Sequence, residues 1–194
     1  MVTKKITRCQ WVAKYEVTND MTKYHDQEWG RPLRGDDRLL FELLTLEVFQ
    51  AGLSWEISLK KRPGLKLAFH NFDIVQVSQM TEKNALALKT NPNIIRNSLK
   101  ILATINNARA IKQVQGEFNS FSNYIWQFTN NKIIDNQVIT NQDVPAKNAL
   151  SQTIAKDMKK RGFKFLGPVT VYSYLQGIGI INDHEKICSF KYQD

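Results

Sequence analysis

Apolar residues recur at helical spacing along most of the chain. Leu39, Leu40, Leu43, Leu44, Leu46 and Phe49 follow Asp36 and Asp37, either of which can cap a helix, and the pattern runs on toward Leu59. The spacing predicts one helix from about 36 to 59. Lys60-Lys61-Arg62-Pro63-Gly64 ends it in this reading, because cations favour the negative end of the dipole and proline cannot continue. Further helices are predicted at about 65–70, 81–88 and 94–115, followed by a short aromatic one through Phe121, Tyr124, Ile125 and Phe128. Residues 130–142 are rich in Asn with Ile and Val interleaved, which reads as a loop with a brief strand. Pro145 opens a helix ending near Gly162, and Pro168 opens a last one through Ile180. No repeat, low-complexity tract or linker interrupts the pattern. The expected fold is all-α, one unit over residues 1–194 built as a single body or as two helical lobes with a cleft between them.

Composition narrows the class. A chain of 194 residues with 42% apolar content can build a sizeable core. No apolar run is long enough to span a membrane, and the basic residues 1–9 are followed by no apolar signal core. With two cysteines and no secretion signal, a reducing, cytoplasmic setting is expected. The net charge of +9 suits a polyanion such as nucleic acid, although basic proteins without such a partner are common.

Two features carry chemistry. Cys9 and His25 lie near the start, His184 and Cys188 near the finish. Two thiolates and two imidazoles complete the tetrahedral shell of a structural Zn²⁺. On a helical turn the i, i+4 pair His184 and Cys188 would face one ion. Cys9 and His25 have no standard finger spacing, so two buried free thiols with locally bonded histidines are the competing reading. His70 has no such partner. The second feature is the stretch from Leu46 to Trp55, which sets Glu47, Gln50, Gly52 and Trp55 among apolar residues. On a continuous helix Glu47, Gln50, Ala51 and Ser54 share one face, either a solvated face or the edge of a pocket.

Several separated blocks settle the matter together: Cys9-Gln10-Trp11, Tyr24-His25-Asp26-Gln27-Glu28-Trp29-Gly30, Glu47 through Trp55, Lys60-Lys61-Arg62, Ala68-Phe69-His70-Asn71-Phe72-Asp73, Lys160 through Gly167, and Asn182-Asp183-His184 with Cys188. In content and order they resemble the type I 3-methyladenine DNA glycosylases, the constitutive alkylation-repair enzymes of bacteria, over nearly the whole chain. The resemblance implies a helix-hairpin-helix glycosylase fold in which Zn²⁺, bound by Cys9, His25, His184 and Cys188, joins the terminal segments 1–35 and 165–194. It implies a pocket for the extruded base formed by Trp11, Tyr24, Trp29, Glu47, Trp55 and Ser173. It also implies that Leu53, with Gln50 nearby, enters the space the base leaves.

The implied activity is hydrolysis of the N-glycosidic bond of 3-methyladenine in double-stranded DNA, releasing the base and leaving an abasic site with the strands uncut. Aromatic walls would stack on the flipped base, and its positive charge would add cation–π attraction. Glu47 would accept from the exocyclic amine and complement that charge. The resemblance also places the hairpin at residues 88–110, with backbone amides on a phosphate. There Asn93 stands where the family has a glycine, and Asn tolerates the positive φ such a turn would need. Leu99 stands where a small residue is common. Lys159, Lys160, Arg161 and Lys164 are candidate phosphate contacts or a solvated helix end. A monomer without organic cofactor is expected. The rival readings are a zinc-stabilised DNA-binding protein without glycosylase activity, which the altered hairpin favours, and an enzyme acting on free nucleosides.

Overall fold

The computed structural model describes residues 6–192. The termini of the expected unit, residues 1–5 and 193–194, lie outside the described residues. Helix α1 (Asp20–Gln27) starts where the Asn19 side chain accepts from the Met21 amide at 2.8 Å. Helix α2 (Asp37–Gln50) is capped by Asp36, and α3 (Trp55–Ala68) by Ser54. A 3₁₀ turn at His70–Phe72 leads to α4 (Ile74–Gln79) and α5 (Glu82–Leu88). The long α6 (Ser98–Phe118) is followed by α7 (Phe121–Trp126), strand β1 (Ile134–Asp135), α8 (Ala149–Lys160), α9 (Pro168–Gly177) and strand β2 (Ile181–Asn182). The two short strands pair in parallel, Ile134 opposite Ile181 and Asp135 opposite Asn182. The all-α expectation is met, the strand pair being a tie between two loops.

Helix α2 is the axis of the packing. Residues from Leu40 to Phe49 are all buried, and the helix touches α3, α6, α7 and α9. A helix buried on every side needs no polar stripe, so its sequence reads as nearly continuous apolar residues. Its one charge at mid-length, Glu42, is fully buried and is met by Arg62 Nε at 2.6 Å, Arg38 at 3.0 Å and Lys66 at 3.2 Å. Such a carboxylate is tolerated because it is paired. At the helix start, Asp37 accepts from the amides of Phe121 and Ser122 at 2.7 and 2.8 Å, which fixes α7 against α2.

Several boundaries differ from expectation. The predicted helix from 36 to 59 is two helices: Gly52 takes φ +78°, Leu53 N–H closes on the Gln50 carbonyl, and Ser54 begins a new helix. Pro63 lies inside α3 instead of ending it, so the predicted 65–70 helix is the tail of α3 and the following 3₁₀ turn. The lost backbone bond is outweighed by burial of Ser58, Leu59 and Leu65 and by the Arg62 pairs to Glu28 and Glu42. Helix α6 begins at Ser98, four residues late, because the Asn97 side chain accepts from the Leu99 and Lys100 amides. Pro145 lies before α8, which Asn148 caps at Ala149. Helix α9 does open with Pro168 but stops at Gly177, and Gly179 turns at φ +72° against the Arg31 carbonyl, where an added Cβ would collide. Helices α1 and α4 had no sequence counterpart.

Candidate active site and metal cluster

Four elements meet around a cavity of about 220 Å³ lined by Trp11, Met21, Tyr24, Trp29, Glu47, Gln50, Trp55, Asn141, Val144, Ser173 and Gln176. Its volume is below the ~300–1,000 Å³ of pockets for drug-sized ligands, so it suits one small flat group. Every residue expected to hold the base lines it. Tyr24 comes from α1, Glu47 and Gln50 from the last turn of α2, Trp55 from the first residue of α3, and Ser173 from α9. Tyr24 and Trp55 lie with ring centroids 5.0 Å apart, and Trp11 meets Trp29 edge to face at 5.2 Å.

Three buried polar atoms of the residues lining this cavity have no partner among the described residues. Glu47 is 5% exposed, and its Oε2 has no hydrogen bond among the described residues; neither have the indole Nε1 atoms of Trp11 and Trp55. Buried polar atoms are almost always paired in folded proteins, so two donors and an acceptor left open in one cavity mark a place where a ligand completes them. Burial raises the Glu47 carboxyl to about 8. Burial, and then the neighbouring Glu47, push the Tyr24 phenol well above its usual range.

Sequence reasoning missed Met21, Asn141, Val144 and Gln176. Two of them were within reach of helical spacing, since Met21 precedes Tyr24 by three residues and Gln176 follows Ser173 by three. Asn141 and Val144 come from the loop before α8, which no periodicity places. Ala51 and Ser54 do not share the Glu47 face, because the chain leaves the helix at Ala51 and both are exposed.

Directly behind the aromatic wall, Cys9, His25, His184 and Cys188 are all buried, and their ligand atoms lie within 4.8 Å of one another. Cys9 Sγ is 3.4 Å from His184 Nδ1, and Cys188 Sγ is 3.3 Å from His184 Nδ1 and 3.6 Å from His25 Nε2. With metal bonds of ~2.0–2.3 Å, a tetrahedron has edges of about 3.3–3.8 Å, so one ion fits among the four. The outer partners fix the histidine tautomers. His25 Nδ1 lies 2.7 Å from Asp26, itself held by Arg8, and His184 Nε2 lies 2.9 Å from the Trp29 carbonyl oxygen. Each ring thus turns its other nitrogen to the thiols. The closeness of the two thiols holds Cys188 well below and Cys9 well above the usual thiol range; burial also raises Cys9, and the imidazoles also lower Cys188. His184 and Cys188 are not on a helical turn: a Cys188 N–H to Glu185 carbonyl bond of 2.8 Å closes a loop that gives the same convergence.

Of the expected DNA-facing residues, Gln50 lines the cavity, while Leu53 and Lys164 lie outside it. Leu53 stands 40% exposed at the tip of the 51–54 turn, beside Gln50. Between α5 and α6 the amides of Ile95, Arg96 and Ser98 donate to no acceptor among the described residues. Asn93 does not take positive φ; its amide donates to the Asn91 side chain at 2.9 Å, so this turn needs no left-handed residue there. Gly64 of α3 approaches the Asn93 carbonyl so closely that a Cβ would collide with it. Leu99 is 65% exposed and crowds nothing in the turn. Lys164 is exposed on the loop before α9, its backbone tied to Asn107 by bonds of 2.8 and 3.1 Å. Arg161 is engaged with Asp157 and Glu117.

A family model described as methyladenine glycosylase matches residues 11–192. The chain is 40% identical to the DNA-3-methyladenine glycosylase of Haemophilus influenzae over 95% of its own length and 98% of the relative's. It is likewise 40% identical to DNA-3-methyladenine glycosylase 1 of Escherichia coli, over 93% and 95%. Among solved structures, 3-methyladenine DNA glycosylase I from Staphylococcus aureus superposes with a TM-score of 0.91 at 37% identity, covering 96% of this chain and 97% of that one. A tyrosine-to-phenylalanine variant of a 3-methyladenine DNA glycosylase I, in complex with 3-methyladenine, gives 0.91 at 36%, covering 96% and 98%.

Proposed function

The chain belongs to the methyladenine glycosylase family, and from this we propose how its residues carry out the reaction. The enzyme is a DNA N-glycosylase that hydrolyses the bond between 3-methyladenine and deoxyribose, releasing the free base and leaving an abasic site. The observation that carries the residue assignment is the set of three unpaired polar atoms, Glu47 Oε2, Trp11 Nε1 and Trp55 Nε1, in one aromatic cavity.

In this reading the lesion leaves the helical stack and enters the cavity between Tyr24, Trp55, Trp11 and Trp29, with Ser173 at its edge. Methylation at N3 makes the nucleotide's base cationic, so π faces and the Glu47 carboxylate bind it better than neutral adenine. Glu47 accepts from the exocyclic amine. A base with an oxygen at that position would instead place two acceptors face to face. Water oxygen bonds to C1′, the C1′–N9 bond breaks, and its electron pair neutralises the cationic ring, while the water gives up a proton to the solvent. The departing base needs no acid, so catalysis rests on orientation and on negative charge near the developing oxocarbenium.

Leu53 enters the gap that the base leaves, with Gln50 beside it, and the free amides of Ile95, Arg96 and Ser98 take a phosphate in a helix-hairpin-helix grip. Lys164 contributes a further phosphate contact. Cys9, His25, His184 and Cys188 hold Zn²⁺, which supplies folding energy and no chemistry, and joins the terminal segments of a single unit. The enzyme works as a cytoplasmic monomer on double-stranded DNA without an organic cofactor. No helix among the described residues is long and apolar enough to cross a membrane.

Incubation with N-methylated duplex DNA, with released bases resolved by chromatography and strands on a denaturing gel, tests the activity. Free 3-methyladenine with intact strands is expected; tight binding without release would point to a DNA-binding protein instead.

A further inference from the structure

Lys100 is a lysine with 5% exposure in the first turn of α6, and no carboxylate pairs with it among the described residues. Among the described residues its ammonium donates to two backbone carbonyls only, Phe49 at 2.8 Å and Ala51 at 2.6 Å. Burying an ammonium is costly unless it is well bonded, so its two acceptors deserve an account. Both belong to the C-terminal end of α2, where carbonyls lack intrahelical partners and the dipole is negative. Two residues beyond Ala51 comes Leu53, and two and four residues before Ala51 come Phe49 and Glu47. At its own end, Lys100 follows Asn97, whose side chain caps α6, and the free amides of Ile95, Arg96 and Ser98.

We propose that Lys100 is a positioning residue for base extrusion: by clamping the Phe49 and Ala51 carbonyls it fixes the Leu53 turn relative to the hairpin that grips the phosphate. The inference rests on reading Leu53 as the inserted wedge. The 51–54 turn is exposed throughout and has Gly52 at φ +78° with open space around it, so few other contacts hold it. A phosphate held at the hairpin is thereby a few bonds from the wedge, through α6 and one ammonium. Loss of the ammonium frees the turn to shift by an ångström or more, enough to lower the yield of insertion without touching the cavity.

The test is a double-mutant cycle of Lys100→Met and Leu53→Ala in the full-length enzyme with its metal, read by single-turnover excision from duplex DNA and by tryptophan quenching with free 3-methyladenine. Lys100→Met should slow duplex excision at least tenfold while leaving free-base affinity within about twofold. The double variant should be no slower than the slower single variant, since a wedge held in the wrong place and a wedge removed are the same defect. If both single variants are slow and their effects multiply, Lys100 acts outside the wedge and the proposal is overturned. It is also overturned if Lys100→Met weakens free-base binding as much as excision. A Leu53→Ala variant of normal rate would instead refute the wedge reading beneath it. Where the Met variant does not fold, the same cycle with Lys100→Arg, which keeps the charge and alters the reach, decides by the same criterion.

Discussion

The Nε2 atom of His184 lies 2.9 Å from the carbonyl oxygen of Trp29, while the Nδ1 atom of the same ring faces Cys9 and Cys188. A cavity wall and the Cys–His cluster that could hold a metal are therefore one hydrogen bond apart. Trp29 also packs on His184 at 4.6 Å between ring centroids, and Trp11 on His25 at 5.3 Å. Removing the metal should disorder both ends of the chain and the aromatic wall together. With a structural site contributing several kcal/mol, Tm should fall by about 10 °C or more at ~2–4 °C per kcal/mol. Thermal melts and free-base titrations before and after chelation check this; a normal affinity in the metal-free protein would separate wall from cluster.

Gly30 occupies the left-handed region at φ +70°, and a Cβ there would sit 2.7 Å from His184 Cδ2. Gly30→Ala should therefore lower metal content and stability together, by about 1–3 kcal/mol for the backbone strain alone. Metal analysis and a denaturant melt on the variant measure both. Gly162→Ala is the comparison, because it shares the positive φ at +87° with nothing within 4 Å, and should keep full metal content.

Burial raises Glu47 to about 8 from the ordinary 4.5, which links it to pH in two ways. Its folded pKa is the higher one, so its contribution to stability is full below about 4.5 and is lost as pH rises through about 8. Glu47→Gln should thus match or trail the wild type in Tm at pH 5 and exceed it at pH 8.5. Activity should move the other way, because the carboxylate form complements a cationic base. In the free enzyme kcat/KM should rise through about pH 8, and that step should vanish in Glu47→Gln. Parallel melts and rate profiles across pH 5–9 test both signs.

Trp11 and Trp55 each bury an indole N–H without a partner among the described residues. Phe in either place keeps most of the stacking surface and removes the unmet donor. Trp55→Phe should leave stability unchanged or slightly raised, while free-base affinity falls about three- to tenfold, the worth of one neutral hydrogen bond. Calorimetric titration beside a melt measures both; destabilisation with normal affinity would make the indole a packing residue.

The residue types of the site were legible in the chain, because a metal set and a run of tryptophans are distinctive whatever their distance apart. The local geometry was less so. Apolar periodicity passes unbroken through Leu53, and only Gly52 in the left-handed region and the Ser54 cap divide α2 from α3. Pro63 reads as a stop, but Arg62 on its N-terminal side is pinned to Glu42 and Glu28, and tertiary pairs of that kind are invisible to a local rule. Asn93 at the hairpin suggested a left-handed turn residue, and the structure has no positive φ there. Asn141 and Val144 reach the cavity from an irregular loop, for which sequence spacing carries no signal.

In this reading Glu47, whose buried Oε2 has no partner among the described residues, is the acceptor and counter-charge for the extruded base. That role is tested most directly by comparing Glu47→Gln with the wild type for excision of 3-methyladenine from duplex DNA at one pH, with metal content and Tm recorded on the same samples. Excision should fall at least a hundredfold with fold and metal intact. An excision rate within a few-fold of the wild type would contradict it.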